Sequence, residues 1–469
     1  MARRGARGVN FVVVGGGIAG LSAAHRLVTL LPEAHVVIVE REPSFGGKIV
    51  TEHTLDGFVI EGAADSFLSR KDRGVGLCEE LGLGDELIGR RQENARSYVR
   101  QGLELHPLPE GLTGMIPTNL DALAESTLLS PAGKERLAHE ASIQPAAPGG
   151  DESIASFVSR RLGREAYERL VEPLMTGIYG GDGEQLSLEA TFPQLRTLEL
   201  EHGSVLRGLL AQPAEAGRYP PFVTLASGME TIVRKLVGAL EARVGSVGGN
   251  AAVRLRRRSR DFVVELDDGV TLDADGVVVA VPAFAAAPLL AEIDSDLSAA
   301  HAQIPYASSA VVTLAYENAD VEHALDGYGY VVPRSEGSEI LACTWTSSKW
   351  EARAPHGNVL LRIYAGRFGQ RDVTADSDRD LVSLAREEVR LLGIGVKPAF
   401  SRVHRWPLGM PQYVLGHPER VARIEAALEA QPGLAVAGAA YRGVGIPDCI
   451  RSGEDAAESV ARSLVAVLR

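Results

Sequence analysis

A short and wholly apolar run near the N-terminus is followed at once by a glycine-rich turn. Phe11–Val14 carries apolar side chains without interruption, which is typical of a parallel strand covered on both faces. Residues 18–30 then repeat apolar positions at the spacing of a helix. A second apolar run, 36–39, ends at the acidic Glu40. This order of strand, helix and strand predicts a βαβ unit.

The turn between the first strand and the helix has the spacing G-x-G-x-x-G at Gly15, Gly17 and Gly20. Glycines in this pattern allow a tight turn, close approach of the backbone to a pyrophosphate and close helix–strand packing. The N–H groups at the helix N-terminus favour phosphate. Glu40 follows about twenty residues later, where a carboxylate accepts hydrogen bonds from ribose hydroxyls. The sequence therefore predicts a site for an adenine dinucleotide with a free ribose hydroxyl.

The patterns after this unit are first helical and hairpin-like, then mostly helical. Residues 72–88 predict a helix that ends in a turn around Leu83 and Gly84, and alternation over 97–109 predicts a hairpin. Residues 117–215 are mostly helical in pattern. Within them, Asp151 or Ser153 is placed to cap the helix that follows.

Strand patterns dominate the second half of the chain. Residues 222–240 predict a strand, a turn and a helix, and 251–282 predict strands that return to the nucleotide unit. Runs within 298–370 predict an antiparallel sheet suited to flooring a substrate pocket. The arginines of 254–260 alternate with apolar residues, as on a half-solvated strand. The formal net charge of −13 favours that interpretation over nucleic-acid binding.

Composition places the chain among globular proteins of more than one domain. It has 469 residues, of which 45% are hydrophobic and 23% charged. No run predicts a transmembrane helix, and the Arg-rich residues 1–7 predict a frayed tail because nothing after them completes a signal peptide. Cys78, Cys343 and Cys449 are too far apart for a metal motif or a disulfide framework. We therefore expect a cytoplasmic protein with buried thiols and no metal site.

The segment after Glu40 and Arg41 extends the nucleotide motif. Gly46 and Gly47 precede Lys48, and an acid-ended strand followed by this spacing resembles the superfamily of FAD-dependent amine oxidases and protoporphyrinogen oxidases. The resemblance implies FAD as the cofactor. It places Lys48 near the pyrophosphate, where many relatives have arginine, so that only a point charge remains.

Six further segments, in the same order as in the family, resemble the porphyrinogen oxidases. Their details are most similar to the bacterial coproporphyrinogen III oxidases, with the membrane-associated protoporphyrinogen IX oxidases as the nearest alternative. The segments are 172–182, 186–195, 222–233, 343–350, 405–417 and 441–453.

The resemblance implies an enzyme of haem biosynthesis that removes six electrons from a porphyrinogen. FAD would accept hydride equivalents, and dioxygen would become hydrogen peroxide. No catalytic side chain is expected, and His404, His417 and Tyr441 are left without that role. Partners implied by the pathway are the porphyrinogen, dioxygen, a downstream chelatase and a peripheral membrane contact.

The resemblance also implies which residues contact FAD. Val253 would offer backbone groups to the adenine, Trp406 would lie against the flavin, and 444–446 would direct N–H groups toward the flavin or pyrophosphate. A core aromatic is the alternative for Trp406. Many relatives have Gly-Pro where this chain has Ala63 and Ala64, so this loop would be less rigid. The full set is Gly15, Gly16, Gly17, Ile18, Ala19, Gly20, Glu40, Arg41, Lys48, Gly62, Ala63, Ala64, Asp65, Val253, Trp406, Val444, Gly445 and Ile446.

A porphyrinogen with four propionates needs cations or oriented amides. Lys71 is the anchor that the resemblance favours, with Arg70 and Arg96 as further candidates. Charged runs are usually solvated, so a plain helix start is the alternative for Arg70 and Lys71.

Other functions share parts of this pattern. A flavin amine oxidase shares the N-terminal motif but would need an aromatic cage, and only 5% of the residues are aromatic. A carotenoid desaturase would need an apolar membrane-docking surface. A non-enzymatic protein that uses FAD only for stability would bind flavin without oxygen-dependent turnover.

The predicted fold class is α/β with α+β insertions. We expect a Rossmann-like FAD-binding domain, a substrate domain built on an antiparallel sheet, and a helical inserted domain. The FAD-binding segments are 1–90, 216–297 and 416–469; the substrate domain has its hairpin in 91–116 and its sheet in 298–415; and the helical domain is 117–215.

Overall fold

The computed structural model describes residues 9–147, 149–212 and 217–468. The tail predicted for residues 1–7 and the predicted domain boundary at 215/216 lie outside these ranges.

Strands and helices succeed one another along the whole described chain. The strands are β1 (Asn10–Val14), β2 (His35–Glu40), β3 (Thr51–His53), β4 (Val59–Glu61), β5 (Phe67–Leu68), β6 (Leu87–Gly89), β7 (Tyr98–Gln101), β8 (Glu104–Pro107), β9 (Leu112–Thr113), β10 (Ile116–Pro117), β11 (Phe222–Leu225), β12 (Val244–Gly248), β13 (Ala252–Arg258), β14 (Asp261–Leu266), β15 (Thr271–Ala274), β16 (Gly276–Val279), β17 (Tyr306–Glu317), β18 (Gly329–Val331), β19 (Ile340–Trp345), β20 (Asn358–Ala365), β21 (Phe400–Pro411) and β22 (Leu434–Val436).

The helices are α1 (Ile18–Leu30), α2 (Asp72–Glu80), α3 (Leu120–Glu125), α4 (Pro131–Ala138), α5 (Ile154–Leu162), α6 (Arg164–Ala166), α7 (Glu172–Tyr179), α8 (Leu188–Thr191), α9 (Pro193–His202), α10 (Val205–Ala211), α11 (Glu230–Leu240), α12 (Ala283–Leu290), α13 (Ser295–Ala302), α14 (Thr346–Lys349), α15 (Asp378–Glu388), α16 (His417–Glu429) and α17 (Ile446–Leu468).

A parallel sheet in the order β12-β2-β1-β16-β22 carries the predicted nucleotide unit. Its strands come from widely separated parts of the chain, so this sheet depends on contacts between residues that are distant in sequence. The apolar faces of β1 pack into two separate cores, one with α1 and α17 and the other with α12 and α13. A Cβ at Gly453 of α17 would lie 2.0 Å from the carbonyl oxygen of Ala19 in α1. These two helices therefore meet at backbone distance. The βαβ prediction is confirmed.

A second sheet has the order β21-β17-β20-β19-β18-β7-β8. Its strands are antiparallel as predicted, except that β18 and β7 run parallel. The hairpin prediction is confirmed by β7 and β8, which turn at Gly102 with a φ of +60°. The sequence did not predict this parallel pair, because β7 begins at Tyr98 whereas β18 begins only at Gly329.

The region predicted to be helical contains α3 to α10. Ser153 caps α5, since its hydroxyl accepts from Ser156 N at 3.1 Å. Asp151 instead accepts from Ser187 Oγ at 2.7 Å and from Gly416 N at 2.9 Å, and so ties this region to the start of α16.

The turn predicted around Leu83 and Gly84 is confirmed, since Glu86 N donates to Leu83 O at 3.1 Å, but the helix predicted over 72–88 is too long. It ends at Glu80, Gly82 adopts a φ of +71°, and residues 87–89 form β6 instead. β6 pairs with β11, which pairs on its other side with β5. Local periodicity could not reveal this pairing, because β11 begins only at Phe222, far along the chain from β6.

Several other features of the described residues bear on function. The three cysteines are buried free thiols. No group of three or more His, Cys, Asp or Glu side chains in these ranges has the geometry for a metal ion. None of the helices in the described ranges combines the length and apolarity needed to cross a bilayer.

Candidate cofactor and substrate site

The glycine turn after β1 has the geometry that its sequence predicts. Gly15 has a φ of +107°, and a Cβ at Gly20 would lie 1.9 Å from the carbonyl oxygen of Gly15. A Cβ at Gly17, by contrast, would meet no atom within 4 Å. Gly15 and Gly20 are therefore required for packing, whereas Gly17 leaves an open surface at the start of α1. That start has no side-chain cap, so the first N–H groups of Ile18 and Ala19 remain available to an anion.

Glu40 stands at the end of β2 beside this turn. One of its carboxylate oxygens accepts from Gly16 N at 2.6 Å, and the other accepts from Glu42 N at 2.9 Å. A carboxylate has about four acceptor positions, so lone pairs remain for ribose hydroxyls. Arg41 is exposed and pairs with Glu42 at 3.1 Å.

The segment that includes Gly46, Gly47 and Lys48 packs directly on the glycine turn. Gly46 N donates to Gly16 O at 2.9 Å, and a Cβ at Gly47 would lie 3.3 Å from Gly17 Cα. Lys48 Nζ donates to Gly409 O. The Lys48 side chain is exposed, yet desolvation by the surrounding protein lowers its pKa. The two motifs thus form one surface.

The start of α17 offers a second helix N-terminus. Gly445 N donates to the carboxylate of Asp448 at 3.2 Å, so the third helical residue closes back on the N-cap. Within the described chain, the N–H groups of Val444 and Ile446 donate no hydrogen bond and remain available.

A stacked pair of side chains holds the loop that leads to α17. The rings of Tyr413 and His417 lie 4.1 Å apart and 13° from parallel. Tyr413 donates to Ala439 O at 2.7 Å and accepts from Gly443 N at 2.8 Å. His417 Nε2 donates to Tyr441 O at 3.0 Å, and burial lowers the pKa of His417 to about 4. These three hydrogen bonds hold the loop 439–443 in place.

Val253 lies at an irregularity of β13. The register jumps between Ala252 and Arg254, which leaves Val253 as the extra residue of a bulge. Its side chain is exposed. A bulged residue keeps unpaired backbone groups, which is the arrangement needed to contact an adenine.

The loop after β4 joins the nucleotide unit to the large sheet. Gly62 N donates to Val50 O at 2.8 Å, and Gly62 O accepts from Trp406 Nε1 at 2.9 Å. A Cβ at Gly62 would lie 2.9 Å from the ring of His404. Ala63 and Ala64 remain partly accessible in this loop.

Asp65 is the buried anion of the same loop. Its carboxylate accepts from Lys349 Nζ at 2.9 Å and from Trp350 Nε1 at 3.1 Å, and Arg362 Nη1 lies 3.7 Å away. Burial alone would raise the pKa of Asp65, but Lys349 and Arg362 outweigh it and hold the pKa well below its ordinary value. Asp65 is therefore a carboxylate that binds two cations.

Sequence reasoning assigned no role to Lys349 or Arg362. Arg362 alternates with Tyr364 along β20, so both side chains lie on the same face of the sheet. Arg362 is fully buried and donates to Ala63 O, while its Nε and Nη1 atoms have no hydrogen-bond partner among the described residues. One signal was present, because a single arginine interrupts the otherwise apolar run of β20.

The predicted carboxylate anchors differ in their surroundings. Lys71 pairs with both oxygens of Asp448 and precedes α2. Arg96 pairs with Asp326 at 3.0 Å. Arg70 is exposed and has no carboxylate within 4.0 Å in the described ranges. The structure therefore brings Lys71 to the start of α17 and leaves the charge of Arg70 available to an anion.

Several features of the site fit a dinucleotide such as FAD. An open surface lies at Gly17, free N–H groups lie at the starts of α1 and α17, Glu40 supplies an acid, and Val253 forms a bulge. The fold and the site together define an oxidoreductase of the flavoprotein class. The chain belongs to the family of flavin containing amine oxidoreductases, whose family model matches residues 18–461. The cofactor is FAD.

Individual proteins are similar over nearly the whole chain. The coproporphyrinogen III oxidase of Bacillus subtilis (strain 168) is 37% identical over 460 residues, which cover 95% of this chain and 96% of the relative. The chloroplastic protoporphyrinogen oxidase of Oryza sativa subsp. japonica is 29% identical over 96% of this chain and 88% of its own. A crystal structure from Exiguobacterium sp. 255-15 superposes with a TM-score of 0.87 at 31% identity, over 98% of this chain and 100% of its own.

Proposed function

We propose that this protein is an FAD-dependent oxidase that converts coproporphyrinogen III to coproporphyrin III in haem biosynthesis. The observation that carries this proposal is the 37% identity to the coproporphyrinogen III oxidase of Bacillus subtilis over 95% of the chain. For each porphyrin formed, six electrons and six protons leave the porphyrinogen and reduce three molecules of dioxygen to hydrogen peroxide.

When bound, FAD accepts hydride equivalents from the porphyrinogen and passes the electrons to dioxygen. The chain's own residues bind and orient. We assign the pyrophosphate to the N–H groups at α1 and to the Lys48 charge, the ribose to Glu40, and the adenine to the Val253 backbone. The remaining predicted contacts follow the same surface, with Arg41 at its outer edge.

The flavin ring is assigned to the space between the loop 62–65 and the start of α17. Trp406 fixes this loop through Gly62 O, and the N–H groups of Val444 and Ile446 lie at the start of α17. The hydrogen bond of Trp406 supports a positioning role for its indole. No side chain is assigned as an acid or base.

The substrate carboxylates are assigned to Arg70, Lys71 and Arg96. Arg70 is available in the structure, whereas Lys71 and Arg96 would exchange an internal carboxylate for a substrate carboxylate. Such an exchange conserves the number of charge pairs and costs little in desolvation, because both lysine and arginine ends are partly exposed.

The place and partners of the reaction are also part of the proposal. Buried free thiols at all three cysteines fit a reducing cytoplasm. The coproporphyrin product requires metal insertion to become a haem precursor, so a transient contact with a chelatase is expected. A peripheral membrane contact remains a proposal without a surface assigned to it.

The competing substrate is protoporphyrinogen IX, which has two propionates. The similarity to the plastid protoporphyrinogen oxidase of Oryza sativa supports this alternative. Amine oxidation is a weaker alternative, because only the shared family supports it.

The test is to offer the purified holoprotein coproporphyrinogen III, protoporphyrinogen IX and a primary amine in separate assays. Porphyrin fluorescence and peroxide release report turnover. We expect the highest kcat/KM with coproporphyrinogen III. A higher value with protoporphyrinogen IX would assign the alternative, and peroxide from the amine alone would refute porphyrinogen oxidation.

A further inference from the structure

Arg90, which the sequence did not single out, has its guanidinium over two aromatic rings. Its Cζ atom lies 4.6 Å from the ring centroid of Phe222 and 4.6 Å from that of Tyr328. Two cation–π contacts restrict the position of the guanidinium, and its N–H groups keep their capacity to donate. Arg90 directly follows β6, and Phe222 begins β11 on the neighbouring strand.

The charge of Arg90 has no acidic partner in the part of the chain that the structure describes. Its guanidinium donates no hydrogen bond there, and no carboxylate lies within 4.0 Å of it. The neighbouring cations differ, since Arg91 pairs with Glu93 at 2.8 Å and Arg96 with Asp326 at 3.0 Å. Arg90 is half-buried, and burial lowers its pKa. A partly desolvated cation without a counter-ion is unfavourable unless an anion binds to it.

Arg90 lies near the loop 62–65, which borders the proposed flavin site. Arg91 N donates to Lys349 O at 3.0 Å, and Tyr328 donates to Arg91 O at 2.9 Å. The ammonium of Lys349 contacts Asp65. Desolvation lowers the pKa of Lys349, and the Arg90 charge lowers it further, whereas the Asp65 charge opposes the lowering of the Arg90 pKa. Arg90 therefore lies close enough to the loop 62–65 for its charge to act on a molecule bound there.

We propose that Arg90 binds one propionate of the porphyrinogen through the edge of its guanidinium, and that Phe222 and Tyr328 hold it in the orientation for a two-pronged contact. This inference rests on the proposed function and adds a residue to the substrate site. Two parallel N–H···O bonds are the geometry in which arginine recognises carboxylate most strongly. The partly exposed ring of Phe222 adds an apolar surface beside the charge.

The experiment compares Arg90→Met and Arg90→Lys with Arg91→Gln, a neighbouring arginine with its own carboxylate. Binding of coproporphyrin III is measured by fluorescence, with its tetramethyl ester as the uncharged control, beside steady-state kinetics with coproporphyrinogen III. Arg90→Met should raise the KM and the dissociation constant of coproporphyrin III roughly 10-fold to 100-fold, with kcat, flavin content and ester binding near wild type. Arg90→Lys should fall between Arg90→Met and wild type, and Arg91→Gln should match wild type.

The outcomes separate this inference from the proposed function. Oxidation of coproporphyrinogen III by the wild type, together with an unchanged KM in both Arg90 variants, would overturn the role of Arg90 alone. Equal weakening of the binding of coproporphyrin III and of its ester would show that the ring contacts of Arg90 serve only the structure, and would also overturn the role of Arg90. Failure of the wild type to oxidise coproporphyrinogen III would overturn the proposed function. If Arg90→Met does not fold, the comparison of Arg90→Lys with Arg91→Gln decides.

Discussion

Lys71 Nζ donates to both carboxylate oxygens of Asp448, over 2.8 and 2.6 Å, and so joins the start of α2 to the start of α17. The same carboxylate accepts from Gly445 N at 3.2 Å. Asp448 therefore competes with any substrate anion for the charge of Lys71. The side chain of Lys71 is 44% exposed, so solvent weakens this ion pair.

This competition predicts opposite effects for the two partners. Lys71→Glu should raise the KM for coproporphyrinogen III severalfold, because it removes a cation and repels propionates, while FAD is retained. Asp448→Asn should lower that KM, since the amide oxygen still accepts from Gly445 N but no longer neutralises Lys71. Steady-state kinetics and flavin absorbance at matched protein concentration measure both. Unchanged KM values in both variants would remove Lys71 from the substrate site.

The glycine turn predicts that two alanine substitutions fail in different ways. Gly20→Ala should prevent folding or strongly reduce stability, because the new Cβ would lie 1.9 Å from Gly15 O. Gly17→Ala should leave the apoprotein as stable as wild type, since its φ of −72° suits alanine and no protein atom lies within 4 Å of the new Cβ. It should nevertheless weaken FAD binding, because the methyl group lies where the pyrophosphate is assigned. Thermal unfolding of the apoproteins and flavin titration separate the two effects; an FAD affinity equal to wild type in Gly17→Ala would contradict the assignment.

The buried cluster at Asp65 predicts a large loss of stability from a nearly isosteric change. Asp65→Asn would leave the cations Lys349 and Arg362 without their carboxylate, at a cost of about 3–5 kcal/mol. Glu425→Gln, at the exposed pair with Arg442, is the control and should change stability by less than about 1 kcal/mol. Denaturant unfolding of the holoproteins provides the comparison. Equal stabilities for the two variants would be inconsistent with a charged Asp65.

His417 predicts a dependence of stability on pH. Burial, together with Arg420 and Arg442, lowers its pKa to about 4, although the bond to Tyr441 O opposes the shift. Between the ordinary value of 6.5 and about 4 the unfolded chain binds a proton that the folded chain excludes, so the free energy of unfolding falls as the pH falls through this window. The full contribution is about 3 kcal/mol.

Thermal melts of wild type and His417→Gln at several pH values between 4 and 6.5 measure this contribution. The variant should lose less stability than wild type over that range. His53→Gln, at an exposed histidine, should follow wild type. Parallel pH profiles for all three proteins would show that His417 does not titrate in this window.

The sequence predicted most of the local structure where a residue pattern is tied to a specific backbone geometry. The glycine turn, α1 and β2 followed from glycine spacing and from apolar periodicity. The parallel edge strand β12 did not, because its sequence has glycines and a serine in place of alternating apolar residues. Its place beside β2 depends on pairing with a strand some 200 residues earlier in the chain (244 − 35 = 209).

The candidate site was predictable as a set of residues but not as a set of charges. The resemblance named Lys71, yet its partner Asp448 is 377 residues away in sequence. The sequence did not predict a role for Arg90, because its neighbours Phe222 and Tyr328 are distant from it in the chain. Sequence patterns report which side chains are present near a motif, whereas pairing and stacking depend on tertiary contacts.

The contact between Gly453 in α17 and Ala19 in α1 has a consequence for how the protein is made. β22 and α17 must leave the ribosome before β16 gains its second neighbouring strand and α1 its contact with α17, so the nascent chain holds an incomplete FAD site until residues 434–468 have emerged. We expect stalled chains that expose residues up to 433 to retain no flavin, and full-length released chains to acquire it. Flavin fluorescence on purified ribosome complexes would measure this, and flavin retained by the shorter chains would contradict it. We therefore expect FAD loading to wait for these residues, and the supply of FAD at that moment to limit how much of the newly made protein becomes active.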